Sequence, residues 1–403
     1  ETELAYPAKS LIVGSFKNAR LDAWLLDIWV NKSVTVLVGD VRWSRADFET
    51  IFSGTIDDID SRSRDTLNIK VRDKLQRLNT PITETTLGGT SINKNELIPL
   101  CFGECFNVAP LLTNPATLEY KVHGAAIESI IEVRDNGVPV VHTDTLASGK
   151  FTLFAQPFGQ VTASVQGDKP TTWDKTVSLL VQRLVTGYGG VNKFVSADLD
   201  TTQLATFEAA NTQPVGIYIT QRENTLSACN RIAASVGAQL VMSRLGKLQL
   251  LKIELPASGT AFAIDTNDII ENSLSISQKL PVKAAFKINY DKNWTIQDGL
   301  QTGIPEEHKD MYALEWLSYT AEDATVKTNY ALDGEPVAVD TMLLTEADAT
   351  TEATRLLDLY KTPRLVVTFT GTARLVELTL GQRVTLTYPR FGLDAAKEGQ
   401  AIG

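Results

Sequence analysis

The sequence predicts a mainly β chain with short helices, an α+β protein of several domains. Three observations carry this. Strict period-two alternation recurs, as in Leu67, Ile69 and Val71 set against Asn68, Lys70 and Arg72. Turn pairs such as Asn136-Gly137 and Ser148-Gly149 separate short apolar runs. Helical spacing of apolar residues is confined to a few short segments, such as Val177, Leu180, Val181 and Leu184.

Taken in order, residues 10–16 form a short apolar strand candidate. Within 19–29, Leu21, Trp24, Leu25 and Ile28 take helical spacing. Val34, Val36 and Val38 alternate, Gly39-Asp40 turns the chain, and Trp43 opens a strand that leads into Phe52. Phe52, Gly54 and Ile56 then sit at period two, 57–65 is a charged connection, and Leu67, Ile69 and Val71 form the next strand. Asp73 can cap a short helix carrying Leu75 and Leu78, which Thr80-Pro81 ends. Gly88-Gly89-Thr90 marks a break. Residues 97–165 hold short strands with turns at Asn107, Pro115, Asn136-Gly137, Ser148-Gly149 and Phe158-Gly159. A linker at 169–172 precedes a helix closed by Gly187 and a more polar helix over 198–211. A third helix with Leu226, Cys229, Ala233 and Val236 on one face ends at Gly237. A hairpin turning at Leu245-Gly246 follows. Residues 282–290 alternate again, and 297–338 read as polar, acidic and irregular, anchored by Trp316 and Tyr319. Thr345 caps a helix with Ala349, Ala353, Leu356, Leu357 and Tyr360 on its face, stopped by Pro363. Strands at 365–369, 376–380 and 384–388 complete the chain. The expected domains are a β module at 1–95, an inserted small all-β domain at 96–170, a helix–hairpin domain at 171–300, and a polar loop, helix and strands at 301–403.

The run Gly54-Thr55-Ile56, a charged turn, Leu67-Asn68-Ile69-Lys70-Val71-Arg72-Asp73-Lys74-Leu75 and Leu78-Asn79 resembles the N-terminal module of bacteriophage tail-tip and baseplate hub proteins. The resemblance covers the first module, extends to the helix–hairpin near 226–253, and reaches the final strands loosely. It implies tail-tube-like β-barrels. It also implies a homotrimer at the distal end of a phage tail, in the virion and assembled in the host cytoplasm. Such a trimer would cap the tail tube beside the distal tail protein. It would surround the path of DNA and tape-measure protein and carry receptor-binding or fibre proteins. A long non-contractile tail fits better than a contractile one. Phe52-Ser53-Gly54-Thr55 recurs in type as Phe369-Thr370-Gly371-Thr372, which a duplicated barrel would produce.

Composition sets bounds on function. The 403 residues carry a formal net charge of −10, with 43% hydrophobic and 21% charged residues. These values suit a globular protein with real cores. The acidic balance argues against a nucleic-acid binder, which presents a basic face, but suits a conduit through which DNA passes unbound. Three cysteines make no disulfide framework. No apolar run is long enough to span a membrane, and the first residues do not read as a signal peptide. The chain begins at Glu1 without methionine and stops at Gly403, as expected of part of a longer polypeptide.

No catalytic, cofactor or metal residues are assigned, and a non-enzymatic role is expected. Cys101-x-x-x-Cys105 has metal-ligand spacing. Only Cys229 remains as a further thiol, however, and His123 and His142 lie in another hairpin, so buried thiols are the simpler reading. Asp57-Asp58-x-Asp60 lacks the glycine and distal glutamate of a calcium loop. Glu306-Glu307-His308 lacks the second histidine of a zinc-protease motif. No Gly-x-Ser-x-Gly run supports acyl transfer, and no carboxylate pair stands out for glycoside hydrolysis. Gly187-Tyr188-Gly189-Gly190 follows a helix rather than a strand, which is the wrong context for a phosphate loop. Asn31 and Asn293 open Asn-x-Ser/Thr triplets of high chance frequency. The rival reading is a multi-domain glycan-binding or glycan-degrading β protein. Its tryptophans, Trp24, Trp29, Trp43, Trp173, Trp294 and Trp316, are scattered along the chain.

Overall fold

The computed structural model describes residues 10–13, 22–63, 66–255 and 260–403. The N-terminal module contains β1 (Ser10–Val13), β2 (Ser33–Val38), β3 (Glu49–Ser63) and β4 (Thr66–Arg72), in the sheet order β1-β4-β3-β2. All its pairings are antiparallel. Leu67 and Val71 are buried while Lys70 and Arg72 are only partly covered, as the alternation requires. Leu75 N–H bonds Asp73 Oδ1 at 3.0 Å, and the short helix Leu75–Leu78 buries both its leucines.

Three expectations for this module change. The helix expected over 19–29 is a 3-10 turn, Asp22–Leu26, with 19–21 outside the described residues. Its Leu25 and Leu26 and the following Ile28 are exposed, so no core face exists to propagate an α-helix. The charged connection at 57–65 is strand as far as Ser63, because Asp57, Asp58 and Asp60 find cross-strand cations; Arg64 and Asp65 lie outside the described residues. Trp43 lies in a turn rather than opening a strand. Of the strand expected at 10–16, residues 14–16 also lie outside the described residues.

A sandwich follows. Its strands are β5 (Leu100–Val108), β6 (Leu111–Asn114), β7 (Glu119–Lys121), β8 (Ile127–Asp135), β9 (Val138–Pro139), β10 (His142–Thr145), β11 (Lys150–Leu153) and β12 (Val161–Asp168). The Asn136-Gly137 hairpin forms as read, with both residues at positive φ (45° and 85°) in a β8–β9 turn. One sheet runs β10-β11-β7-β6. The other runs β5-β12-β8-β9 and takes β13 (Gly216–Ile219) on its outer edge, so β5 is paired on both sides. Val122, Val133, Phe151, Ala163 and Val165 are fully buried between the sheets.

The largest core belongs to the helical unit. It is built from α1 (Val177–Gly187), α2 (Thr201–Ala210), α3 (Thr225–Ala234), and the hairpin β14 (Ala238–Met242) and β15 (Leu248–Lys252). Leu180, Val181 and Leu184 are buried almost completely, and each contributes roughly 1.5–3 kcal/mol. Asp200 caps α2 through Gln203 N–H. Next come β16 (Phe262–Ile264), β17 (Ser275–Leu280) and β18 (Ala285–Tyr290), the last burying Phe286, Ile288 and Tyr290.

Residues 297–338 are less irregular than read. They hold α4 (Glu306–Ala313), β19 (Leu317–Glu322) and α5 (Ala324–Tyr330) before β20 (Ala338–Asp340), and β18 sits between β19 and β20. The chain then enters α6 (Glu346–Tyr360), capped by Thr345 as expected, and its Ala349 and Ala353 join the main core. Finally, β21 (Arg364–Thr368) pairs with β17, and β22 (Arg383–Leu386) lies between β16 and β23 (Lys397–Gln400). The strand expected at 376–380 is instead a 3-10 turn, Ala373–Glu377.

The mainly β, α+β class is what the chain adopts. The strand orders give open sheets among the described residues, with no ring of pairings, so the expected tube-like barrels are not closed within this chain. The two Phe-x-Gly-Thr runs also differ in setting. Gly54 is mid-strand, where a Cβ would lie 2.3 Å from Arg72 O. Gly371 follows β21 and faces Leu375.

Candidate functional site

Each sequence candidate has a structural occupation. Cys101 and Cys105 lie on β5 and Cys229 on α3, all fully buried, and burial pushes the Cys105 and Cys229 thiols well up. His123 is nearer the cysteines than its hairpin suggests. Its Nδ1 accepts the Cys101 backbone N–H at 3.0 Å. His142 pairs with Asp144 on its own strand. Among the described residues, no group of three or more His, Cys, Asp or Glu side chains is arranged to hold a metal. Asp57 pairs with Arg72 at 2.8 Å, and Asp58 and Asp60 with Lys70 at 3.6 and 3.3 Å. Glu306 opens α4 and pairs with Lys309, while the side chains of Glu307 and His308 lie outside the described residues. Asn31 Oδ1 accepts from Arg72, and Asn293 is buried with both amide protons given to the Tyr312 and Leu314 carbonyls.

Two polar clusters occupy the seams of the sandwich. The first gathers around Asp168 at the end of β12, which is 2% exposed. Asp168 accepts from His123 Nε2 (3.0 Å), Arg183 Nε (2.5 Å) and Nη2 (3.2 Å), and Tyr188 OH (3.2 Å). Because Nδ1 accepts from the Cys101 amide, the proton of His123 sits on Nε2. Burial alone would raise the Asp168 carboxyl, but the hydrogen bonds from His123 and Arg183 and the Arg183 charge hold it below the usual range. Burial, and then the Asp168 charge, push the Tyr188 hydroxyl up. A buried His–Asp pair has the outline of a general-base dyad. Here both ring nitrogens are already bonded and the ring has no exposed edge, so it ties the sandwich to α1 rather than meeting a substrate. Gly189 and Gly190, at positive φ, carry the chain away past this cluster.

The second cluster closes the other seam. Asn107 gives its amide protons to Asn293 Oδ1, Thr295 O and Gln297 Oε1 at 2.8–3.2 Å. The Arg134 guanidinium bonds Ser164 and lies over the Phe106 and Tyr312 rings, themselves stacked at 5.8 Å. Beside them, a cleft lined by Phe106, Asp291, Met311, Leu314 and Trp316 has a volume of about 10 Å³, room for one water. Trp294 and Trp316 flank the Lys292 ammonium at 4.9 and 4.5 Å, so two tryptophans that are scattered in sequence meet in space around a cation of their own chain.

What remains open is surface. Leu26 (89% exposed), Ile28, Val41 (96%) and Trp43 lie on the N-terminal module, in the segments that precede and follow β2 in the chain, and β2 is an outer strand of its sheet. Sequence periodicity treated Ile28 as core and so missed this surface. Charge is also uneven. Residues 301–360 hold thirteen acids and three Lys or Arg, a difference of −10 that equals the formal charge of the whole chain. No membrane-length apolar helix occurs among the described residues.

No protein-family model matches the chain, and no curated protein matches it. Solved structures to which it is similar include the 43 kDa tail protein of prophage MuSo2 from Shewanella oneidensis, at 12% identity and a TM-score of 0.39. That alignment covers 98% of this chain and 85% of the other. Another is a tail protein from Neisseria meningitidis MC58, at 14% identity and a TM-score of 0.29, covering 69% and 79%. Likenesses at such scores carry no inference.

Proposed function

We propose that this chain is a structural, non-catalytic component of a bacteriophage tail, acting as the trimeric hub at the tail tip or baseplate. The supporting observation is the N-terminal module. Its sheet ends at β2, whose outer edge has no strand partner among the described residues, and exposed Leu26, Ile28, Val41 and Trp43 lie in the segments that precede and follow β2 in the chain. Exposed apolar groups of this kind, next to an open strand, are what an assembly covers. The resemblance of residues 51–81 to the hub module supplies the identity of the assembly. In this reading the sheets that stay open in one chain are completed by neighbours around a threefold axis. Distal tail protein and tail tube stack above, and receptor-binding or fibre proteins hang below. The acid-rich 301–360 segment then fits the lumen, where like charge lets DNA and tape-measure protein pass without sticking.

Mass photometry of the purified chain and a density map of the particle test the reading. Trimers that dissociate on Val41→Lys, with similar β modules arranged around a threefold axis, are expected. A chain that stays monomeric at micromolar concentration, together with virions that assemble normally around Val41→Lys, overturns it.

A further inference from the structure

One nucleophile in this chain is set against an electrophile, away from both seams. Lys252 is the last residue of β15, and Asn211 is the residue that ends α2. Lys252 Nζ lies 2.7 Å from Asn211 Oδ1. Asn211 is 3% exposed, and its Nδ2 donates to Phe207 O at 3.0 Å. The amide is therefore pinned at the helix end with its carbonyl turned to the lysine. Gln400 Nε2 bonds the Lys252 carbonyl at 3.0 Å and fixes the end of the strand.

Burial, and then the nearby Arg355 guanidinium, lower the Lys252 pKa toward the neutral, nucleophilic amine, against the opposite pull of the Glu352 and Glu254 carboxylates. Glu352, buried on α6, is held by Arg355 through bonds of 2.7 and 2.5 Å and acts on the same lysine. Its Oε1 lies against Gly237, the neighbour of Ala238, which pairs with Lys252 across the β14–β15 hairpin. A nucleophile and an amide are thus brought into direct contact by two separate elements, with a buried carboxylate of a third close enough to act on the amine's charge.

We propose that Lys252 and Asn211 form an intramolecular isopeptide bond in the folded chain. The lone pair of neutral Nζ attacks Asn211 Cγ. The Nζ–Cγ bond forms, the Cγ–Nδ2 bond breaks, one proton passes from Nζ to the leaving nitrogen, and ammonia departs. No oxidant or cofactor enters the balance. Rotation about the Asn211 Cβ–Cγ bond brings the amine over the amide plane and releases Nδ2 from Phe207. The product staples the end of α2 to the end of β15, closing the chain between residues 211 and 252.

Intact-mass measurement of the purified full chain tests this, followed by protease mapping. The wild type, after incubation at neutral pH, is expected to weigh one ammonia less than its sequence. It should also yield a branched peptide containing both Asn211 and Lys252. Lys252→Arg is expected at the unreduced mass, and Asn211→Asp should give the same branched peptide with loss of water instead. A wild-type mass equal to the sequence mass overturns the proposal. So does an ammonia loss that maps to a linear peptide, which would be a cyclised asparagine.

Discussion

Replacing Asp168 by alanine removes a single acceptor that serves three side chains. Arg183 loses both its bonds to Asp168, His123 Nε2–H faces a buried void, and the Tyr188 hydroxyl loses its partner. Taking one member from a buried ion pair costs about 3–5 kcal/mol, because the other charge stays desolvated. Arg183 keeps part of its side chain in solvent at 24% exposure, so the lower end, about 3 kcal/mol, is the working value. The pH dependence has a definite sign. Asp168 titrates below its unfolded value, near 3.9, so its contribution is fully present above that pH and is lost as pH falls through the depressed folded value. Urea unfolding followed by tryptophan fluorescence should therefore show wild type and Asp168→Ala far apart at pH 7 and pH 5, converging below about pH 4. Hydrogen exchange should quicken first in β12 and α1. A midpoint within error of wild type at pH 7 would refute the reasoning, as would a gap that widened in acid.

Three further outcomes are expected. Val71→Asp places an unpaired carboxylate in the buried face of β4 and should cost about 3 kcal/mol or more, read as a lowered unfolding midpoint; wild-type stability would mean the register is wrong. Gly103→Ala asks for a Cβ 1.9 Å from Val215 O at a φ of +66°, so it should cost about 2 kcal/mol and expose the amides of β13 to exchange. Asp73 is pushed up to about 6 by burial, against the pull of Leu75 N–H and Arg72, so it penalises the fold above that pH, and stability should rise as pH falls from 6 toward 4. Asp73→Asn keeps the acceptor for Leu75 N–H and should remove that slope, gaining about 1 kcal/mol at pH 7; a slope that persists in the variant belongs to another group.

Legibility of this chain followed sequence distance. Val177, Leu180, Val181 and Leu184 announced α1 because one helix face meets the core and every fourth residue records it. Asn136-Gly137 announced its hairpin because the turn needs two left-handed residues. β19 went unread although Leu317, Tyr319 and Ala321 alternate, since its place was decided by pairing with β18. The 3-10 turn at Asp22–Leu26 misled for the opposite reason. Its apolar spacing is real, but Leu26 and Ile28 point to solvent. The two seam clusters carry no local signature at all. Asp168 meets His123 across 45 residues, and Asn107 meets Asn293 across 186. Only burial of polar types in apolar runs, such as Asp168 after Val165, hinted that a partner must exist.

The double pairing of β5 has a consequence for how the chain comes off the ribosome. β12, on one side, arrives about sixty residues after β5, whereas β13, on the other, arrives only with Gly216–Ile219, after α1 and α2 have been made. Until then β5 presents Leu100, Cys101 and Phe102 along an unpaired edge to whatever is nearby. Synthesis therefore passes through an interval in which the sandwich is nearly complete yet adhesive. A second nascent chain on the same message could lend its own 216–219 segment to that edge, making strand exchange between neighbours a hazard of translation rate rather than of final stability.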